Sequence, residues 1–84
     1  MNTAGLRKAL GLVLERYRLE RAVTIETLAA ATGVAEALLK AYEDGSYGPT
    51  FADFVCIADG LDVPPCTLLN DVLVQWKSNP PTDY

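Results

Sequence analysis

The sequence predicts an all-α fold, and three observations predict it. Apolar residues recur at three- and four-residue spacing in successive segments, beginning with Leu6, Leu10, Val13, Leu14 and Tyr17. Gly and Pro punctuate the gaps between those segments. Residues 24–45 read as two helices joined by a tight turn, and the rest of the chain is organised around them.

The first helix follows a short leader, residues 1–3, in which Asn2 or Thr3 caps it. Its buried face is the Leu6–Tyr17 stripe. Arg7, Lys8, Glu15 and Arg16 fall mostly on the other face, as a solvated surface or as phosphate contacts. Gly11 inside this helix costs about 1 kcal/mol relative to Ala and marks the close approach of another helix.

Thr24 caps the second helix, with Glu26 in the first turn, where a negative charge suits the helix dipole. Ala29 must be small because the next helix crosses over it. Gly33 can take the positive φ that a sharp turn needs. Leu28, Val34, Leu39 and Tyr42 are the apolar contacts that set the angle between the two helices, and Gly45 closes the pair as a left-handed C-terminal residue.

A loop over residues 46–50 leads to Thr50, which with Asp53 forms a capping box for the fourth helix. Phe51, Phe54, Val55, Ile57, Ala58 and Leu61 are that helix's apolar part, with Cys56 expected among them as a buried small hydrophobe. Residues 61–65 bend the chain into the fifth helix. Its apolar run starts at Thr67, Leu68 and Leu69 and continues through Val72, Leu73 and Trp76. A polar tail with prolines, residues 78–84, is expected to be flexible.

The chain resembles the Cro/repressor (XRE) helix-turn-helix family over roughly residues 6–69. The marks are Arg18, Thr24–Leu28–Ala29, Gly33–Val34, Tyr42–Glu43–Asp44–Gly45, Pro49, and Leu61–Asp62–Val63–Pro64. The resemblance implies a five-helix, lambda-repressor-like helix-turn-helix domain over residues 1–77, here with an extended C-terminal helix, and a third helix that enters the DNA major groove. It also implies a structural ion pair between Arg18 and Glu43. The positions that match the family's base readers are Glu36, Ala37, Lys40 and Ala41, and the loop contributors to the phosphate backbone are Ser46, Tyr47 and Thr50.

The reading surface departs from the family pattern. Ala35 stands where Ser or Thr usually caps the third helix, which weakens its start by about 1 kcal/mol. Ile25 stands in place of a backbone-gripping Gln, and Asp44 in place of Asn or Arg. Ala37 and Ala41 can touch only a thymine methyl. Glu36 can accept from a cytosine amino group but repels phosphate. Lys40 suits guanine or phosphate.

Composition narrows the function classes. The chain has 84 residues, half of them hydrophobic, enough for one small core. It has two cysteines and no histidine, so neither a disulfide framework, nor the usual zinc sites, nor imidazole chemistry is expected; no cofactor or metal is implied. No paired carboxylates point to catalysis, and the chain reads as a non-enzyme. Without a signal peptide or a membrane-length apolar run, a cytoplasmic home is expected. The net charge of −4 and pI near 4.5 are unusual for a nucleic-acid binder.

Two functions are therefore weighed. The first is a sequence-specific DNA-binding transcriptional regulator, a repressor of phage or mobile-element type or an antitoxin. It would read a double-stranded operator with residues 36–44 and pair as a homodimer through Val72, Leu73 and Trp76. The second is a protein-interaction module of the same fold that has lost DNA binding and captures a basic protein partner with its acidic surface. Trp76 either packs on the first helix or anchors the dimer, and Tyr47 is either a contact residue or a lid on the core.

Overall fold

A computed structural model describes residues 3–78. Five α-helices follow one another: α1 (Thr3–Glu20), α2 (Ile25–Thr32), α3 (Glu36–Asp44), α4 (Phe51–Gly60) and α5 (Pro65–Ser78). Helix α5 takes in Ser78, the first residue of the expected tail. The remainder of the tail, and Asn2, lie outside the described residues.

Local chemistry sets the boundaries. Thr24 accepts the Thr27 amide at 3.0 Å and Thr50 accepts the Asp53 amide at 3.1 Å, so both N-caps form as the sequence predicts. Ala35 takes the extended cap conformation but makes no side-chain cap bond. Gly33 and Gly45 sit at φ of 76° and 83° and end α2 and α3 in the left-handed region. Two non-glycine residues do the same work elsewhere. Ala22 (φ 56°) follows α1, and Asp62 (φ 57°) follows α4. In each case the next residue's amide returns to a carbonyl five positions back, Val23 to Arg18 and Val63 to Ala58.

The core is drawn from all five helices. Val13, Leu28, Leu39, Ile57, Leu61, Leu68 and Val72 are each at most 2% exposed, and Leu14, Val34, Tyr42, Phe54, Ala58 and Val63 join them. Helix α1 packs along α5 and across α3, while α2 packs on α3 and α4. Gly11 explains the crossing of α1 and α3. A Cβ there would stand 2.4 Å from the Glu43 carbonyl oxygen and 2.6 Å from that of Tyr42. The helix that Gly11 admits is therefore α3, met at its C-terminal end. Gly60 plays a similar part for α2, since its Cβ would meet Thr32 at 2.8 Å.

Three expectations are corrected here. Cys56 is exposed, because α4 turns Phe54, Ile57 and Ala58 inward and Cys56 falls between those faces. Phe51 is 84% exposed and adds nothing to the core. Val72, expected in a dimer interface, is 1% exposed within the chain's own core, while Leu73 and Trp76 are half-buried.

Candidate nucleic-acid interface

Helix α3 is held rigidly from behind. The Arg18 guanidinium donates two parallel bonds to the Glu43 carboxylate, Nε to Oε2 at 2.6 Å and Nη2 to Oε1 at 3.0 Å. Its third nitrogen, Nη1, donates to the Val23 carbonyl at 3.0 Å, so one side chain ties the end of α1 to the end of α3 and to the turn before α2. The hydrogen bond to Glu43 raises the Arg18 pKa further above its ordinary value, so the guanidinium keeps its charge. Tyr42, buried one residue earlier, donates its hydroxyl to Asp53 at 2.7 Å and so ties α3 to α4.

With its inner side fixed, α3 presents Glu36, Ala37 and Lys40 to solvent, with Ala41 half-buried one turn on. These are the predicted reading residues, and they share one face. Lys40 also borders a groove with Ile25, Arg18 and Glu43, and a second with Thr24 and Glu26 at the start of α2. The N-terminal end of α2, where backbone amides point outward, therefore adjoins the cationic residue of α3.

The loop after α3 continues this surface. The Ser46 and Tyr47 amides both return to the Ala41 carbonyl, so the loop is stitched to the helix. Tyr47 is 63% exposed and is no lid on the core. The Ser46 hydroxyl donates to Asp44, and that bond together with the Ser46 amide holds the Asp44 carboxyl below its usual pKa. A fixed negative charge thus stands at the exit of α3. Thr50, also exposed, spends one lone pair on capping α4.

Two cations reach this loop from a distant part of the sequence. Arg7 donates from Nε to the Gly45 carbonyl at 3.4 Å, and its stem lies against Gly48. The Lys8 stem lies against Gly45. Among the described residues, the two terminal nitrogens of Arg7 have no hydrogen-bond partner, which leaves four N–H donors on a side chain held against Gly45 and Gly48. The loop's own sequence contains no Lys or Arg, so this supply is invisible locally. The signal was Gly11, one turn after Arg7 and Lys8 on the same side of α1. A glycine that admits the end of α3 necessarily brings its helical neighbours to the loop that follows. The basic residues at the far end of α1 and in the turn after it are placed elsewhere, with Arg16 and Arg21 against the Tyr17 ring (5.8 and 4.9 Å to its centroid) and Tyr17 bonded to Asp71 of α5.

Among the described residues no three His, Cys, Asp or Glu side chains converge on a metal-sized site. No helix there is long and apolar enough to cross a membrane.

Five helices, a glycine-turned helix pair and an outward-facing, rigidly braced third helix define a helix-turn-helix protein. Residues 9–69 match the Helix-turn-helix domain family, and the chain belongs to it. Solved structures agree. The clp gene regulator ClgR from Corynebacterium glutamicum superposes with a TM-score of 0.82 at 25% identity, over 87% of this chain and 78% of that one. The restriction-modification controller protein C.AhdI from Aeromonas hydrophila gives 0.71 at 24% identity, over 74% of this chain and 94% of that one. A point mutant of the controller protein C.Esp1396I gives 0.80 at 21% identity, over 89% and 95%. No relative matches among curated protein sequences.

Proposed function

We propose that this chain is a sequence-specific DNA-binding transcriptional regulator, acting as a repressor, that lays α3 in the major groove of a double-stranded operator. The observation that carries the reading is the placement of charge. Arg7 and Lys8 gather at the loop beyond α3, and Lys40 stands on the exposed face of α3, so three of the seven basic residues flank one continuous surface. In this docking Glu36, Ala37, Lys40 and Ala41 face base edges, and Ser46, Tyr47, Thr50, Arg7 and Lys8 face phosphates. The family membership and the names of the structural neighbours (a gene regulator and two restriction-modification controllers) support it. The protein works without a cofactor or catalytic step, in the cytoplasm, as a homodimer that reads two half-sites.

The test is fluorescence anisotropy of the purified protein with labelled duplexes from its genomic neighbourhood and a scrambled duplex, across a salt series. Tight, sequence-dependent binding that weakens on Lys40→Ala is expected. No binding at low salt by folded protein would sink the reading.

One observation favours a second reading. Glu36 and the fixed Asp44 carboxylate share the same surface in a chain of net charge −4. They suit capture of a basic protein partner by a module that has left DNA. Charge reversal at Glu36 and Asp44 discriminates: it abolishes capture in this case, and leaves DNA binding intact or stronger in the first.

A further inference from the structure

Helix α3 turns Leu39 and Tyr42 inward and leaves Glu36 and Lys40 exposed on its outer side, one turn apart. A glutamate four positions before a lysine is the favourable order for an ion pair along a helix. No such pair forms here. Among the described residues the ion pair is Arg18 with Glu43, and neither the Glu36 carboxylate nor the Lys40 ammonium has a hydrogen-bond partner. Both groups are therefore free for an outside ligand. Together they carry no net charge, so Lys40 offsets the repulsion that a lone carboxylate would meet near phosphates. The chemistry then separates the bases. A carboxylate only accepts, so in the major groove it finds a donor at cytosine N4 or adenine N6 and opposes the acceptors of guanine and thymine. An ammonium only donates, so it suits guanine N7 and O6. A G·C pair presents those two acceptors and the cytosine donor side by side. In an A·T pair the adenine amino group stands between two acceptors, N7 and thymine O4, and thymine O4 opposes a carboxylate aimed there. The doublet of α3 thus matches G·C and not A·T.

We propose that Glu36 is the specificity-determining residue of α3: it selects a cytosine amino group, with Lys40 on a guanine of the same or the next base pair, so that a methyl on that amino nitrogen closes the operator to the protein while a methyl on cytosine C5 does not. The inference rests on the DNA-binding reading and names the base that the reading leaves open. Of the two amino hydrogens of a paired cytosine, one bonds to guanine and the other points into the groove. N4-methylation replaces the second, and the Glu36 carboxylate loses its donor. A C5 methyl leaves the amino group intact and lies where the thymine methyl does. Ala37, exposed beside Glu36, is small enough to leave room for it and has a methyl to meet it.

The test selects binding sites from a pool of random duplexes with the wild type, Glu36→Gln, Glu36→Ala and Lys40→Ala. Both side chains are exposed and unpaired, so the variants should melt with the wild type. Wild-type sites should share one cytosine in each half-site. Glu36→Gln should move that position alone to adenine, which glutamine reads through N6 and N7. Glu36→Ala should lose the preference there, and Lys40→Ala should keep the cytosine and lose the guanine. On the selected wild-type site, N4-methylcytosine at that position should weaken the wild type on the order of 10-fold and leave Glu36→Ala where it was. With 5-methylcytosine neither protein should lose affinity. Identical sites for the wild type and Glu36→Gln overturn the proposal and leave the DNA-binding reading standing, as does a wild type indifferent to N4-methylcytosine. A folded wild type that retains no duplex at low salt overturns the reading, and the proposal with it.

Discussion

Two adjacent side chains of α3 tie it to its neighbours, one through a phenol and one through a carboxylate. Tyr42 is 4% exposed, and burial, reinforced by its bond to the Asp53 carboxylate, pushes its phenol up to about 12 from 10.0. The folded state therefore holds the proton more tightly than the unfolded chain does. This stabilisation, roughly 2–3 kcal/mol, is complete below pH 10 and is lost as pH rises through about 12. Alkaline unfolding followed by circular dichroism should therefore set in between these values, and Tyr42→Phe should flatten it; an identical alkaline limb in the variant would count against the assignment. The neighbouring Arg18–Glu43 ion pair is only 13% and 11% exposed. Arg18→Ala strands a largely buried carboxylate and should cost about 2–4 kcal/mol in denaturant unfolding. The double change Arg18→Met with Glu43→Leu should recover much of that, because the penalty lies in the unpaired charge more than in the lost bond.

At the scale of helices, α3 is weakly started and firmly finished. Its N-cap, Ala35, has no side-chain bond to give, whereas its C-terminal end is closed by Gly45, the Arg18 fork and the approach of α1 at Gly11. Ala35→Ser should add about 1 kcal/mol by satisfying one amide of the first turn, read as a shift in the urea midpoint. Gly11→Ala should do the reverse of what helix propensity suggests. Alanine gains about 1 kcal/mol in an open helix, but here its methyl meets two backbone oxygens under 3 Å, and the net loss should reach about 2–3 kcal/mol. These features show what was legible in the sequence. Caps and glycine turns are local, so Thr24, Gly33, Gly45 and Thr50 could be placed without knowing the fold. The rotation of a helix about its axis is not local. In α4 the run Phe51, Phe54, Val55, Cys56, Ile57, Ala58 is apolar nearly all round, so spacing alone could not choose which side faced in. Packing on α2 and α5 chose Phe54, Ile57 and Ala58, and turned Phe51 and Cys56 out. Val72 was misassigned for the same reason, since a stripe long enough to serve a partner also serves α1. Arg7 and Lys8 meet the loop across 38 positions of sequence, and only the glycine between them and α3 hinted at it.

For the whole molecule, net charge and local charge point in different directions, and the difference is measurable. Four more acidic than basic residues make long-range attraction to DNA weak. The surface around α3 nonetheless holds three cations, Arg7, Lys8 and Lys40, set against Glu26, Glu36 and Asp44. Affinity in this arrangement comes from a few fixed contacts and from base edges rather than from a basic field. If each of the three cations neutralises one phosphate, the slope of log affinity against log salt should be about −2.7 per protomer, since each contact contributes about 0.9. Arg7→Gln with Lys8→Gln should remove about two-thirds of that slope and weaken all duplexes alike, because phosphates carry no sequence. Lys40→Ala should instead narrow the gap between operator and scrambled duplex. Arg16→Gln with Arg21→Gln, a change of equal charge at the Tyr17 end of the molecule, should leave the slope where it was. A slope that falls equally for both double variants would mean that net charge governs binding, and the assigned docking of α3 and its loop would then be wrong.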